Sequence, residues 1–137
     1  MAEIQLSMVG VIVSDMPRAL EFYRRLGLDI PVEDDAGNFV MHRMGSGVTI
    51  FFDTVFFANA DRGRQPSPRG SYNVTLEFYL ETREAVDAKY AELTGYGYAG
   101  RLEPVKAPGP YIAIVEDPEG NVILLTAEDT NAEIPPH

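Results

Sequence analysis

The stretch that most constrains the fold is Leu6–Asp29, where a short apolar run leads directly into an amphipathic helix pattern. The run Met8–Val13 is short and rich in β-branched residues, which predicts a buried strand. Asp15 is a good helix N-cap, and Pro17 fits the first helical turn because that turn needs no amide donor. Apolar residues recur at helical spacing until Gly27 ends the pattern. The stretch therefore predicts a strand–helix unit.

Three further strands are predicted in the first half, at Leu28–Val32, Phe39–Arg43 and Val48–Phe52. Pro31 lies inside the first of them and restricts it to the edge of a sheet, since proline donates no backbone hydrogen bond. Glycine-containing turn segments separate the three runs. The first half is thus predicted to be a βαβββ module over about residues 5–53.

The second half repeats this plan. Asn73–Leu80 alternates apolar and polar residues, and Thr82 can cap a following helix that ends near Gly95. Strands are then predicted at Arg101–Val105, Tyr111–Glu116 and Asn121–Thr126. The last two flank Asp-Pro-Glu-Gly, a strong turn signal that predicts a hairpin. A second βαβββ module is therefore predicted over about residues 73–127.

The repeat predicts an α+β fold in a single domain, residues 1–137. Residues 54–72 form a connector rich in Arg, Pro, Gly and Ser, and residues 128–137 are predicted to be a loose tail. Each module has one helix to cover one face of its sheet, which leaves the second face free. We expect the two sheets to form a curved, half-barrel-like sheet whose free faces line a central cleft.

Charge and composition limit the possible partners. The formal net charge is -10, from 21 acidic and 11 basic residues. This balance argues against nucleic acid and anionic membranes, and it suits a cationic small molecule. Cysteine is absent, and no apolar run approaches the roughly 20 residues that cross a bilayer. We expect a cytoplasmic protein with a small-molecule ligand and no membrane partner.

Two stretches, VSDMPRALEFYRRLGL and VEDPEGNVILL, resemble the vicinal oxygen chelate superfamily. This superfamily includes glyoxalase I, extradiol dioxygenases, fosfomycin-modifying enzymes and bleomycin resistance proteins, and the resemblance extends over roughly residues 5–127. It implies paired βαβββ modules, a cleft inside each curved sheet pair, and a homodimer. Whether the modules pair within one chain or swap between two chains stays open.

The resemblance also implies where a metal would be held. Metal-dependent members use four ligands, typically His or Gln, Glu, His and Glu, in the first and last strands of the two modules. The matching positions here are Met8, Phe51, Asn73 and Leu124. These residue types do not form a divalent-metal site, which requires imidazole and carboxylate ligands. His42, His137, Asp53 and Glu77 do not replace them, because nothing in their spacing brings them together. The resemblance therefore implies a bleomycin-resistance-like member with no metal and no cofactor.

Strand alternation gives an independent prediction of the residues that line the cleft. In the last strand of the first module, Val48, Ile50 and Phe52 are predicted to be core. In the first strand of the second module, Val74, Leu76 and Phe78 are predicted to be core. The opposite positions, together with Tyr111 and the four positions above, make up the predicted ligand-binding set: Met8, Thr49, Phe51, Asp53, Asn73, Thr75, Glu77, Tyr79, Tyr111 and Leu124. Lesser candidates are Phe39, His42, Phe56 and Phe57.

Bulky apolar groups with a few polar ones are typical of small-molecule pockets. The leading hypothesis is a metal-free protein that binds and sequesters a hydrophobic or cationic, antibiotic-like ligand. The alternative is a lyase, isomerase or dioxygenase-type enzyme with an atypical or metal-independent site, in which Glu77 would act as a base. A third hypothesis is a regulatory or scaffold domain whose cleft has lost its ligand.

Overall fold

The structure, a computed structural model, describes residues 3–128, except for the side chain of residue 58. The chain divides into two compact units, Met1–Pro66 and Ser67–His137, which contain the first and the second module. Each unit has its own sheet with a helix packed on it, so the predicted α+β class is confirmed. No helix within residues 3–128 has the length and the apolar content needed to cross a membrane.

The first module contains a three-stranded sheet. Its strands are β1 (Met8–Ile12), β2 (Phe39–Arg43) and β3 (Thr49–Asp53), in the order β1-β3-β2. β1 runs parallel to β3, and β2 runs antiparallel to β3. The helix α1 (Met16–Leu26) connects β1 to the rest of the module.

The helix α1 has the caps that the sequence predicts. The Asp15 carboxylate accepts a hydrogen bond from the Arg18 amide at 3.1 Å. Gly27 ends the helix with φ +131°, a conformation that glycine adopts without the clash of a Cβ atom. The buried residues of α1 lie at helical spacing, and the Tyr23 ring packs on Phe52 of β3 with ring centroids 4.8 Å apart. These residues are Met16, Ala19, Leu20, Phe22, Tyr23 and Leu26.

The predicted strand at Leu28–Val32 is wrong. The guanidinium group of Arg24 donates to the carbonyl oxygens of Ile30 and Pro31, each at 2.7 Å. The Pro31 carbonyl also accepts from the Asp34 amide at 3.1 Å, so the acceptors of this segment bond to a side chain and to the following turn rather than to a neighbouring strand. Instead, the chain forms a short 3₁₀ helix, Val32–Ala36, and Asp35 completes the arrangement with an ion pair to Arg24 at 2.8 Å. The first module is therefore βαββ within the described residues.

The second module is βαβββ, as predicted. It consists of β4 (Leu76–Tyr79), α3 (Arg83–Gly95), β5 (Gly100–Lys106), β6 (Tyr111–Glu116) and β7 (Val122–Ala127). The strand order is β4-β7-β6-β5, with β4 parallel to β7 and the other pairs antiparallel. The Thr82 hydroxyl caps α3 by accepting from the Ala85 amide at 3.1 Å. The hairpin turn between β6 and β7 is also present, and its Asp117 carboxylate accepts from the Glu119 and Asn121 amides at 2.9 and 2.8 Å.

Two boundaries differ from the sequence prediction. β4 begins at Leu76 rather than at Asn73, and Val74 is 75% exposed rather than part of the core. The reason is that β7, the partner of β4, begins only at Val122, and the register Leu76↔Ile123 leaves residues 73 and 74 with no paired strand. The segment predicted as a connector, residues 54–72, contains a short helix, α2 (Phe56–Ala60).

Candidate functional site

The face of the first sheet that points away from α1 carries three rows of side chains. Residues that are directly opposite one another in paired strands point to the same face. The register therefore aligns Met8, Thr49 and Arg43 in one row, Gly10, Phe51 and Met41 in the next, and Ile12, Asp53 and Phe39 in the third. Of the predicted site residues, Met8, Thr49, Phe51 and Asp53 thus share this face. His42 alternates with Met41 and Arg43, so it lies on the opposite face.

Phenyl rings dominate this face. The ring of Phe51 lies against the backbone of Gly10, where a Cβ atom would overlap it. Phe51 stacks on Phe39 with centroids 5.1 Å apart and planes inclined by 21°, and on Phe57 of α2 at 6.0 Å and 18°. Phe56 meets Phe57 edge to face, at 5.1 Å and 88°. The four rings form one contiguous cluster.

Much of this cluster is accessible to solvent. The exposed fractions are 46% for Phe39, 57% for Phe56, 60% for Met41 and 37% for Met8. Contiguous exposed apolar surface is characteristic of interaction sites and ligand-binding grooves, whereas scattered single apolar residues are normal on any surface. We refer to the group as the aromatic face: Met8, Phe39, Met41, Phe51, Phe56 and Phe57.

Asp53 is on the predicted face, but its carboxylate serves the fold. One oxygen accepts from the amides of Val55 and Phe56, at 3.3 and 2.9 Å, and the other accepts from the amide of Phe57 at 2.9 Å. The residue is 0% exposed. The carboxylate therefore caps α2 and places Phe57 beside Phe51, and it does not project from the face as a free charge.

The free face of the second sheet carries a carboxylate and a phenol. Glu77 lies directly opposite Leu124, and Tyr79 lies opposite Thr126. The Thr126 hydroxyl is buried and donates to the Glu77 carboxylate at 2.7 Å. Tyr79 is exposed, and the pKa of its phenol is raised by partial burial and, further, by the charges of Glu128 and Glu81. Glu77, Tyr79 and Leu124, all predicted from sequence, therefore share one face.

Tyr111 does not share that face. It lies opposite Ala127 in the sheet, alternating with Ile112, and its hydroxyl donates to Asp87 of α3 at 2.6 Å. The guanidinium carbon of Arg83 lies 4.7 Å from the centre of its ring. The hydrogen bond to Asp87 raises the pKa of Tyr111, with smaller contributions from burial and from the Asp87 charge. Tyr111 thus joins the sheet to its helix.

The register also relocates one predicted metal-ligand position. In the first module, Phe51 lies opposite Gly10, two residues after Met8. In the second module, Leu124, the counterpart of Phe51, lies opposite Glu77. The counterpart of Met8 is therefore Thr75 rather than Asn73, and both are exposed residues that precede β4.

This relocation does not create a metal site. Met, Phe, Thr and Leu offer neither imidazole nor carboxylate, so the donor set does not fit a divalent cation. Within residues 3–128, no three or more His, Asp or Glu side chains lie together in a way that could hold a metal ion. His137, a weak alternative at the sequence level, lies outside the described residues.

The predicted ligand-binding set leaves out four residues of these faces. Strand alternation already puts Gly10 and Thr126 on them, whereas Met41 and Arg43 are not among the predicted residues at all. The signal for Met41 and Arg43 was present, because alternation along Phe39–Arg43 puts them on the same face as Phe39. The close approach of Phe51 to Gly10 and the bond from Thr126 to Glu77 depend on the strand register. No local pattern in the sequence specifies that register.

Comparisons with known proteins agree with this architecture. Residues 5–125 match the family model of the glyoxalase/bleomycin resistance protein/dioxygenase superfamily. A glyoxalase/bleomycin resistance protein/dioxygenase family enzyme from Burkholderia phytofirmans PsJN is similar in structure, with 23% identity, a TM-score of 0.76, and coverage of 91% of this chain and 99% of that one. A glyoxalase/bleomycin resistance protein from Albidiferax ferrireducens T118 has 26% identity, a TM-score of 0.66 and coverages of 89% and 97%. No curated protein sequence gives a significant match.

Proposed function

Because the chain belongs to the glyoxalase/bleomycin resistance protein/dioxygenase superfamily, we propose that it binds a hydrophobic, aromatic small molecule without a metal. The observation that carries this proposal is the aromatic face, an exposed cluster at the position where related enzymes are expected to hold a metal ligand. Phe51 occupies that position and is the central ring of the cluster.

The physical basis of binding is ring stacking and the burial of apolar surface. An aromatic pair contributes about 0.5–1.5 kcal/mol beyond the area that it buries. Phe39 and Phe56 are about half exposed, so a flat ligand can cover them without first displacing another side chain. Two or three such contacts and the accompanying burial are therefore the main favourable terms for a flat ligand.

The charge of the ligand needs a separate argument. The sequence predicts a cationic, antibiotic-like ligand from the acidic composition of the chain and from the projection of Asp53 and Glu77 from the free faces. Asp53 is instead buried, with its oxygens bonded to three backbone amides. Glu77 lies on the other module, where it accepts from Thr126. The support for a cation at the aromatic face is therefore reduced to the overall charge of the chain.

Calorimetry tests the binding proposal directly. We expect aromatic drugs from a panel of neutral and cationic compounds to bind with micromolar affinity, and we expect Phe51→Ala to weaken that binding at least about tenfold. Tyr96→Ala is the matched control, since it removes an exposed ring from the end of α3. The absence of binding across the whole panel at high micromolar concentration would contradict the proposal.

A second candidate function is acid–base catalysis at Glu77. The observation that favours it is the 2.7 Å hydrogen bond from Thr126, which holds one carboxylate oxygen in place on the free face of the second sheet. A fixed carboxylate beside Leu124 is a suitable base for a lyase or isomerase reaction that requires no metal. If Glu77 is the catalytic base, the substrate would bind to the second module.

Two measurements separate the candidates. If Glu77→Gln abolishes the turnover of a substrate but leaves its binding unchanged, catalysis by Glu77 is supported. Glu84→Gln on α3 is the matched control and should leave turnover unchanged. Metal analysis of protein purified without chelators tests the donor argument: stoichiometric transition metal would contradict the metal-free proposal and favour a dioxygenase-type site.

A further inference from the structure

The two ends of the aromatic face differ in charge. At one end, the Asp53 carboxylate is buried and saturated by amide donors. At the other end, Arg43 is exposed, and its guanidinium group forms no hydrogen bond or ion pair with any residue from 3 to 128. The only accessible formal charge among the strand residues of this face is therefore positive.

From this asymmetry, and on the basis of the function proposed above, we propose that the aromatic face binds a planar aromatic carboxylate. The ring of the ligand stacks on Phe39 and Phe51, and its carboxylate pairs with Arg43. The arginine fork matches a carboxylate in geometry, and a bidentate pair adds orientation as well as energy. The ligand class is thus an aromatic anion rather than a cationic drug.

The spacing of the face suits such a molecule. Met41 is the direct neighbour of Phe51 across the sheet, and Arg43 follows Met41 on the same face, about 7 Å further along the strand. The plane of Phe51 is inclined by 21° to that of Phe39 and by 18° to that of Phe57. The guanidinium group of Arg43 lies beside Gly47 of the β2–β3 turn. A fused ring system lying over Phe51 and Met41 would direct a carboxylate substituent toward this end of the sheet, where the Arg43 side chain would turn toward the ligand to pair with it.

The absence of a side chain at Gly10 keeps this surface flat. Because a Cβ atom at Gly10 would overlap the Phe51 ring, the ring can lie against β1 only when residue 10 is glycine. A ring turned away from β1 would lose its parallel alignment with Phe39 and would fill the space above the sheet.

The overall charge of -10 does not conflict with an anionic ligand. Charges at the surface are largely screened beyond about 10 Å at moderate ionic strength, whereas Arg43 would be in direct contact with the carboxylate. The charge of Arg43 therefore determines which ligand binds, whereas the net charge of the chain affects mainly the rate at which the ligand and the protein meet.

The test uses the full chain and three probes that share one ring system: naphthoate, naphthylmethanol and naphthylmethylammonium. We expect naphthoate to bind about tenfold more tightly than the alcohol, because charge-assisted hydrogen bonds are among the strong ones. We expect the ammonium probe to bind most weakly. Added salt should weaken naphthoate binding and leave alcohol binding nearly unchanged.

Two variants and their controls assign the contacts. Arg43→Gln should remove the roughly tenfold preference for naphthoate and leave the affinity for the alcohol unchanged. Arg18→Gln makes the same charge change on the exposed surface of α1 and should leave all three affinities unchanged. Phe39→Leu should weaken all three probes several-fold, whereas Tyr96→Leu in the second module should weaken none.

The outcomes separate this inference from the proposed function. Equal affinity for the three probes, or a naphthoate preference that survives Arg43→Gln, would overturn the carboxylate assignment but leave aromatic binding intact. Tightest binding of the ammonium probe would overturn the carboxylate assignment and support a cationic ligand. Failure of all three probes to bind would contradict the proposed function itself.

Discussion

The two modules have a common plan but differ in chemistry at matching positions of their free faces. In both, the first and last strands are parallel neighbours with a helix between them in sequence. At the same register position, the first module pairs Gly10 with Phe51, and the second pairs Glu77 with Leu124. One module thus presents a flat phenyl ring, whereas the other presents a carboxylate held by a hydroxyl.

The difference shows which positions the fold leaves open. Residues beneath the helices are apolar in both modules because they are buried, for example Ile50 and Phe52 in the first and Ile123 and Leu125 in the second. The free faces are not subject to that requirement from their own helix, so they can differ without a change in architecture. Function is therefore expected to follow the free faces.

The helices differ as well, and this gives the prediction with the largest effect. Leu20 of α1 and Leu93 of α3 are both 0% exposed, but α1 has six buried residues and α3 has two. We expect Leu20→Ala to lower the free energy of unfolding by about 4 kcal/mol and Leu93→Ala by about 2–3 kcal/mol, because the more exposed helix can relax into the cavity. Urea denaturation of both variants measures the difference. A larger loss at Leu93 would contradict this comparison of the helices.

A second prediction compares the buried aspartates of the two modules. Asp53 and Asp117 each accept hydrogen bonds from backbone amides just after a strand. We expect alanine at either position to cost about 2–3 kcal/mol, since several buried donors lose a charged acceptor. Asparagine should cost less, because its carbonyl oxygen can keep one of the bonds.

The two aspartate variants should differ in their effect on binding. Asp53→Ala frees the start of α2 and with it Phe57, so we expect weaker binding of aromatic probes. Asp117→Ala changes a hairpin turn and serves as the control, with binding unchanged after correction for the folded fraction. Equal loss of binding in both variants would show that Asp53 has no specific part in positioning Phe57.

A third, smaller effect is expected at the position where the modules differ most. Gly10→Ala forces the Phe51 ring to move, and we expect a cost of about 1–2 kcal/mol, typical of mild overpacking. In the second module, Thr126→Val removes the hydroxyl that donates a hydrogen bond to Glu77, and we expect it to lower the free energy of unfolding by about 1 kcal/mol. Near-UV circular dichroism should detect the movement of the phenyl rings in Gly10→Ala but no such change in Thr126→Val.

Local signals in the sequence were sufficient for part of this structure. Asp15 and Gly27 delimit α1 through their own side-chain and backbone chemistry, and the turn at Asp117 is specified by the residues that form it. These features depend on neighbours within a few residues. For the same reason the α+β class and the order of most elements could be predicted.

The remaining features depend on contacts that a local pattern does not contain. In place of the strand predicted at Leu28–Val32, the chain makes a turn in which the Arg24 guanidinium group donates to the carbonyl oxygens of Ile30 and Pro31. Alternation put Asp53 on the correct face, but the direction of its carboxylate depends on the fold of the residues that follow. The face of Tyr111 is set by its pairing with Ala127 and its bond to Asp87.

The last prediction concerns the two tyrosines with raised pKa values, which differ in cause. The hydrogen bond to Asp87 is the main cause at Tyr111, whereas partial burial is the main cause at Tyr79. Asp87→Asn should therefore lower the pKa of Tyr111 toward the ordinary value of about 10 and leave that of Tyr79 unchanged. Ultraviolet titration of tyrosinate, with Tyr111→Phe and Tyr79→Phe to assign the two transitions, measures both values.

The sign of the stability effect follows from the direction of the shift. A phenol whose pKa is higher in the folded state than in the unfolded state stabilises the fold fully below the unfolded pKa. That contribution is lost as the pH rises through the folded pKa. The hydrogen-bonded phenol of Tyr111 should thus support the packing of α3 on its sheet at neutral pH and release it in alkali, and Asp87→Asn should remove this part of the pH dependence. An unchanged alkaline titration in Asp87→Asn would show that the bond to Asp87 does not raise the pKa of Tyr111. Burial would then be the common cause of the raised pKa values of Tyr111 and Tyr79.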